Sequence, residues 1–326
     1  MPFIQDTSFK PHFFLRNKHI NTLYRFLFSN TKVKFERKRM RTQDNDFIDL
    51  DFSKVNSDTI VIAIHGLEGS SSSNYIHTIT QTLNHANIDV VAFNMRSCSG
   101  EPNKLLSSYH SGKTEDLHEI ILFLEKEFNY KQIHVVGYSL GGNLTIKFMG
   151  EFTNKMPNSV VSAVGVSVPC DLEGSVKSIS QAENKLYMKG FLKTLKEKAI
   201  QKSIQFPNAK IDIDKINKAT NFYAFDDLFT APTNGFKNAK DYWSQSSCKQ
   251  FIPSVKLPTL LVSAKDDPFL NEKCFPVKEA KENDFFTFLQ TKHGGHLGFV
   301  TGFKMKEQRW LENVITSFIK EHTIIS

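Results

Sequence analysis

The sequence predicts an α/β protein: a mostly parallel central sheet flanked by helices, with a helical insertion late in the chain. Three observations predict it. Short β-rich runs alternate with helical patterns, which is the rhythm of parallel βαβ units. The run at 59–66, TIVIAIHG, holds five consecutive apolar residues at 60–64 and reads as a buried strand ending at Gly66. About 85 residues, 171–255, then break the rhythm, and a simple crossover needs far fewer.

Taken in order, VKFERKRM at 33–40 and FIDLDF at 47–52 flank the turn-like TQDND and predict an antiparallel hairpin. The 59–66 strand is followed by a helix over 74–85, and DVVAFNMRS at 89–97 gives a second strand. A helix over 114–128 follows from Leu117, Ile120, Ile121, Leu124 and Phe128, which recur at helical spacing. The next strands are 133–138, 161–169, 259–264 and 285–290, with a helix beginning near Leu140 and a last one over 306–320. The division is therefore a core of 1–170 and 256–326 interrupted by a mostly helical cap, 171–255.

Composition narrows the class. Hydrophobic residues are 40% and charged residues 23% of 326, a globular balance in which 29 Phe against 2 Trp supply the aromatic burial. No run approaches the ~18 apolar residues of a membrane span. The start, MPFIQDTSFK, lacks the apolar run of a signal peptide, so the cytosol is the expected compartment. Cys98, Cys170, Cys248 and Cys274 form no CxxC pair and read as reduced thiols, with no metal site. The net charge of +7 is spread along the chain without a nucleic-acid motif, so no nucleic-acid partner is expected.

The chemistry is carried by Gly137-Tyr138-Ser139-Leu140-Gly141, a GxSxG match between a strand and a helix. A serine nucleophile must stand exposed on a sharp turn, and the two glycines remove side chains that would collide there. The helix that follows aims backbone N–H groups at developing negative charge. The alternative is an ordinary strand-to-helix turn with a capping serine. A hydroxyl needs a base, and KHGGHLGF at 292–299 offers His293 and His296. His296 is favoured because the paired glycines can swing it back over the sheet edge. SAKDDPFL at 263–270 places Asp266 and Asp267 just beyond a strand, in position to hold an imidazole, although Asp-Asp-Pro is also a turn sequence. The oxyanion donors are expected to be the backbone N–H groups of Leu140 and of Leu67, in the HGLEGS loop after the first buried strand. His65 is read as a brace for that loop, and Ser70 to Ser73 as a turn and helix cap.

These segments resemble the YheT-like branch of the α/β-hydrolases, which includes the ABHD lipid esterases. The resemblance is carried by RNKHINT at 16–22, HGLEGS at 65–70, NMRSCSG at 94–100 and GYSLGGN at 137–143. It continues through FDDLFTAP at 225–232, DYWSQSS at 241–247, AKDDPF at 264–269 and HGGHLGF at 293–299. It implies the α/β-hydrolase fold and a catalytic set of Ser139, Asp267 and His296, acting without a cofactor. It further implies hydrolysis of carboxylic esters, with short- to medium-chain esters and monoacylglycerols among the substrates. Ser97 stands where the family has Gly, and Asn21 where it has Gln. The alternatives are a thioesterase using the same triad and a non-catalytic binding module on this scaffold. The oligomeric state is left open.

Residues 183–204 place Tyr187, Phe191, Leu195 and Ala199 at i,i+4 spacing among lysines. Such a helix could make weak peripheral contact with an anionic membrane. The favoured expectation is a cap helix whose apolar face covers the site while its lysines are solvated.

Overall fold

The computed structural model of the chain describes residues 3–304 and 309–324. Its strands are β1 (Phe3–Asp6), β2 (Glu36–Arg41), β3 (Phe47–Ser53), β4 (Thr59–Ile64), β5 (Asp89–Asn94), β6 (Gln132–Tyr138), β7 (Val160–Val166), β8 (Thr259–Ala264) and β9 (Phe286–Thr291). They form one sheet in the order β1-β9-β8-β7-β6-β4-β5-β3-β2. The pairings are parallel from β1 through β5, while β3 runs antiparallel to both β5 and β2. This is the α/β-hydrolase fold.

Period-two alternation sorts each buried strand onto two cores. Ile60, Ile62 and Ile64 of β4 face one core, and Val61 and Ala63 face the other. Around the sheet lie α1 (Lys18–Phe28), α2 (Asn74–His85), α3 (Thr114–Phe128) and α4 (Leu140–Glu151). After β7 come α5 (Leu172–Ile179), α6 (Lys185–Gln205), α7 (Ile213–Lys218), short helical turns over 222–233, and α8 (Ala239–Ser246). The chain closes with α9 (Val277–Glu282) and α10 (Trp310–Glu321). Helix α3 packs Leu117, Ile120, Ile121 and Leu124 on one core, and α2 packs Ile76, Ile79 and Leu83 on the other with α10.

Several boundaries differ from the sequence-based expectation. The strand expected over 89–97 stops at Asn94, and that over 161–169 stops at Val166. In each case a residue with positive φ soon follows, Ser97 at 63° and Ser167 at 51°, and extended backbone cannot continue through it. The same φ explains why a glycine suits the Ser97 position; here the serine Oγ bonds the Asn103 side chain at 2.7 Å. The last helix begins at Trp310, and part of the expected 306–320 helix lies outside the described residues. Strand β1 and helix α1 were not expected at all.

Between β7 and β8 the chain holds no strand. Its helices build their own apolar cluster, with Met188, Leu192, Ala199, Ile216, Phe225 and Phe229. The stripe of Tyr187, Phe191, Leu195 and Ala199 belongs to that cluster, so it turns inward rather than toward solvent. Three of the lysines of α6 are also engaged: Lys196 Nζ donates to the Asn217 carbonyl at 2.8 Å, Lys198 Nζ donates to Glu68 at 2.8 Å, and Lys202 is buried against the carbonyls of Asn103 and Leu105. Among the described residues no helix is long and apolar enough to cross a membrane.

Candidate active site

At the end of β6 the chain turns through Ser139 at φ 52° and ψ −116° directly into α4. The turn is held by the Ser139 N–H donating to the Val166 carbonyl at 2.8 Å. Its tightness is what demands glycine on either side. A Cβ on Gly137 would lie 2.2 Å from the Gly141 carbonyl oxygen, and one on Gly141 would lie 2.4 Å from that of His65. Both obstacles are backbone and cannot rotate away. Gly137→Ala is therefore expected to cost about 3 kcal/mol or more of stability, read as a shifted urea midpoint. An alanine variant as stable as the parent would show that the turn is looser than described.

Three of the sequence-predicted residues meet here. His296 Nε2 lies 2.9 Å from Ser139 Oγ, and His296 Nδ1 lies 2.8 and 3.1 Å from the two oxygens of Asp267. A carboxylate only accepts, so Nδ1 carries the proton and Nε2 accepts from the serine hydroxyl. Asp267 and His296 are both buried, and Phe269 seals them, its ring centroid 4.4 Å from that of His296. The Phe269 N–H donates to Asp267 Oδ1 at 2.9 Å, which fixes the carboxylate.

The neighbouring pair is separate. His293 Nδ1 faces Asp266 Oδ2 at 3.1 Å, and Asp266 Oδ1 accepts the Gly295 N–H at 3.0 Å. Burial pushes the Asp266 carboxyl above its ordinary range. Asp266 does lie in a turn, so the Asp-Asp-Pro segment both reverses the chain and delivers Asp267.

The His296 loop is clamped by α1, a contribution that sequence reasoning missed. The His296 N–H donates to Thr22 Oγ1 at 2.8 Å. The buried Asn21 amide accepts the Val300 N–H at 3.0 Å and donates to the Leu15 and Val300 carbonyls. Arg25 bonds the Gly298 carbonyl and pairs with the buried Glu312 of α10. Only the motif RNKHINT signalled this segment, and no periodicity pointed to its role.

On the other side of Ser139 runs the HGLEGS loop. Leu67 and Leu140 both border the cavity beside Ser139. His65 is fully buried: Nε2 accepts the Met95 N–H at 3.1 Å, so Nδ1 donates to the Gly66 carbonyl at 2.7 Å. Burial lowers its pKa to about 4, which keeps it neutral and in one tautomer. It does not face Ser139. Glu68 closes this side, taking bonds from Tyr109 Oη at 2.5 Å and Lys198 Nζ at 2.8 Å.

The cavity opening from Ser139 measures about 600 Å³. Its wall is largely apolar and comes from the β7–β8 insertion, through Leu172, Val176, Phe191, Phe222, Phe225 and Phe229. Asp226 also lines the cavity, bonded by Trp243 Nε1 at 2.8 Å and Thr230 Oγ1 at 2.7 Å, with burial raising its pKa to about 6. Among the described residues no group of three or more His, Cys, Asp or Glu could hold a metal ion. The four cysteines are free and buried.

Comparison with known proteins agrees with this architecture. The family described as alpha/beta hydrolase fold matches residues 59–303. YheT of Escherichia coli K12, whose name assigns it provisionally to the esterases, is 33% identical over 97% of this chain and 94% of its own length. Phospholipase ABHD3 of Mus musculus is 25% identical over 98% of this chain and 79% of its own. A monoacylglycerol lipase of Saccharomyces cerevisiae is 29% identical over 83% and 61%. Among solved structures, a Pyrococcus furiosus esterase, Pf2001, superposes with a TM-score of 0.61 at 17% identity, covering 88% of this chain and 91% of its own. At that identity the likeness speaks for the fold alone.

Proposed function

The chain belongs to the α/β-hydrolase family, in its YheT- and ABHD-like branch, and from that premise we propose that this ester hydrolase is a serine enzyme working through an acyl-Ser139 intermediate. The observation that carries the proposal is the chain of hydrogen bonds Ser139–His296–Asp267 opening into an apolar cavity. Ser139 Oγ attacks the ester carbonyl as His296 Nε2 takes its proton. Asp267 holds Nδ1–H and balances the imidazolium. The N–H groups of Leu67 and Leu140 donate to the oxyanion. His296 then hands its proton to the leaving alkoxide. A water molecule, deprotonated in turn by His296, releases the carboxylic acid and restores Ser139.

The insertion 171–255 acts as a cap, and its Phe-rich wall supports an acyl chain as the part of the substrate it holds. Relatives named for monoacylglycerols and phospholipids support the same class of lipid ester. Labelling with a fluorophosphonate probe tests the nucleophile, and a series of p-nitrophenyl esters from acetate to octanoate tests the cavity. Burying one methylene is worth about 0.8 kcal/mol, so kcat/KM should rise by up to about fourfold per added methylene until the cavity is full. A flat or falling series would mean that the apolar wall does not hold the acyl chain. An acyl-CoA series in parallel gives the thioester preference.

A further inference from the structure

Helix α1 has two faces. One holds the His296 loop through Asn21, Thr22 and Arg25, as described above. The other is apolar and unpartnered. Seven of the sixteen large apolar side chains left exposed among the described residues fall between residues 13 and 28. Phe13 and Phe26 are each 71% exposed, and Ile20, Leu23 and Leu27 recur on the helix at i, i+3, i+7. Ring contacts extend the face: His12 touches both Phe14 and Phe303, and Tyr24 touches both Phe303 and Phe28. A patch of this kind on a globular protein marks an interaction site.

Two features identify its occupant. First, the patch is continuous with the cavity: Leu23 and Phe26 are exposed and yet line the space that holds Ser139, as does Leu186, 83% exposed at the start of α6. Second, the segment is one-sided in charge. Residues 7–35 contain Lys10, Arg16, Lys18, Arg25, Lys32 and Lys34 and no acidic residue. Lys10, Arg16, Lys32 and Lys34 are exposed, and Lys185, Lys189 and Lys193 of α6 are exposed close by in the chain to Leu186. A second copy of the chain docking here about a two-fold axis would set these cations against themselves and cover the cavity rim. An anionic lipid surface would match the charge, accept the aromatic side chains, and lie against the rim.

We propose that the apolar face of α1, with the turn at 12–14, docks on an anionic lipid surface and brings the mouth of the Ser139 cavity against it. The proposal rests on the ester-hydrolase reading for its purpose, since the substrate would then pass from the lipid into the cavity without crossing water. It differs from docking through the Tyr187–Ala199 stripe, which packs against the apolar cluster of the insertion.

The test is vesicle co-flotation of the full chain, with phosphatidylcholine alone and with phosphatidylcholine plus phosphatidylglycerol. Wild-type protein should float with the anionic vesicles, with binding falling as salt is raised. Phe13→Ser/Phe14→Ser/Leu27→Ser, none of which lines the cavity, should lower binding by about tenfold or more while leaving turnover of a soluble short ester unchanged. Phe28→Trp should show fluorescence quenched by brominated lipid. Ser139→Ala should bind vesicles as wild type does, which separates failure of docking from failure of the catalytic assignment. Absence of binding to anionic vesicles at low salt, or equal binding by the triple variant, would overturn the proposal. So would a wild-type dimer that the triple variant converts to monomer without any vesicle binding.

Discussion

Ser139→Ala is expected to lower kcat on p-nitrophenyl esters by about 10⁴- to 10⁶-fold and to abolish fluorophosphonate labelling. The substitution isolates the hydroxyl. It keeps the Cβ at the strained φ of 52°, so the turn keeps its shape, and the backbone bond to Val166 is untouched. What is lost is the 2.9 Å contact with His296 Nε2, whose place a water can take because Ser139 borders the cavity. Stability should therefore change by about 1 kcal/mol or less. Some turnover above the uncatalysed rate should persist, since the substitution leaves in place the backbone N–H groups of Leu67 and Leu140 proposed as oxyanion donors. An alanine variant within tenfold of wild type in kcat, with circular dichroism unchanged, would remove Ser139 as the nucleophile.

What could be seen of this arrangement in the sequence was what is encoded locally. The turn at Ser139 carries a local signal in the glycines two positions to either side of it, and the collision at Gly137 is itself local, with the Gly141 carbonyl, whereas that at Gly141 is with the His65 carbonyl of the neighbouring loop. Strands β4 and β6 are buried on both faces; β4 announces itself as an apolar run, and β6 by its β-branched residues ahead of the GxSxG turn. The hairpin of β2 and β3 is likewise local, joined by a turn and paired residue against residue.

What could not be seen depends on distant parts of the chain. Strand β1 is four residues long and exists only by pairing with β9 across most of the sequence, Phe3 against Phe288. Helix α1 misleads any reader of periodicity, since its apolar positions face outward while Asn21 and Arg25 are buried. Its polar face is spent on the His296 loop, and nothing in residues 18–28 alone says so. Lys202 is another such case: a lysine that reads as solvated charge lies buried against two carbonyls of the 103–105 loop. The choice within His293 and His296, or within Asp266 and Asp267, is beyond local rules for the same reason. Each pair is separated by at most three residues, and only the path of the 293–299 loop over the sheet tells its members apart.

That choice yields the second large effect. His296→Ala should lose about 10⁴- to 10⁶-fold in kcat, while His293→Ala should stay within about tenfold of wild type. Only His296 meets Ser139 through one nitrogen and a carboxylate through the other. His293 is turned to Asp266, and its loss leaves the Gly295 N–H bond to Asp266 in place. Asp267→Asn should lose about 10⁴-fold, because an amide can donate to Nδ1, favour the wrong tautomer, and offer no charge to balance an imidazolium. Asp266→Asn keeps an oxygen for the Gly295 N–H and replaces only the oxygen that faces His293 Nδ1 with an amide nitrogen. Its effect should be about 1 kcal/mol of stability and less than about tenfold in kcat. Steady-state kinetics on the four variants, with circular dichroism as the control for folding, decides both pairs at once. If His293→Ala or Asp266→Asn proved the more damaging member of its pair, the hydrogen bonds described around His296 would not be the ones the enzyme uses, while the proposal for Ser139 would still rest on its own alanine variant.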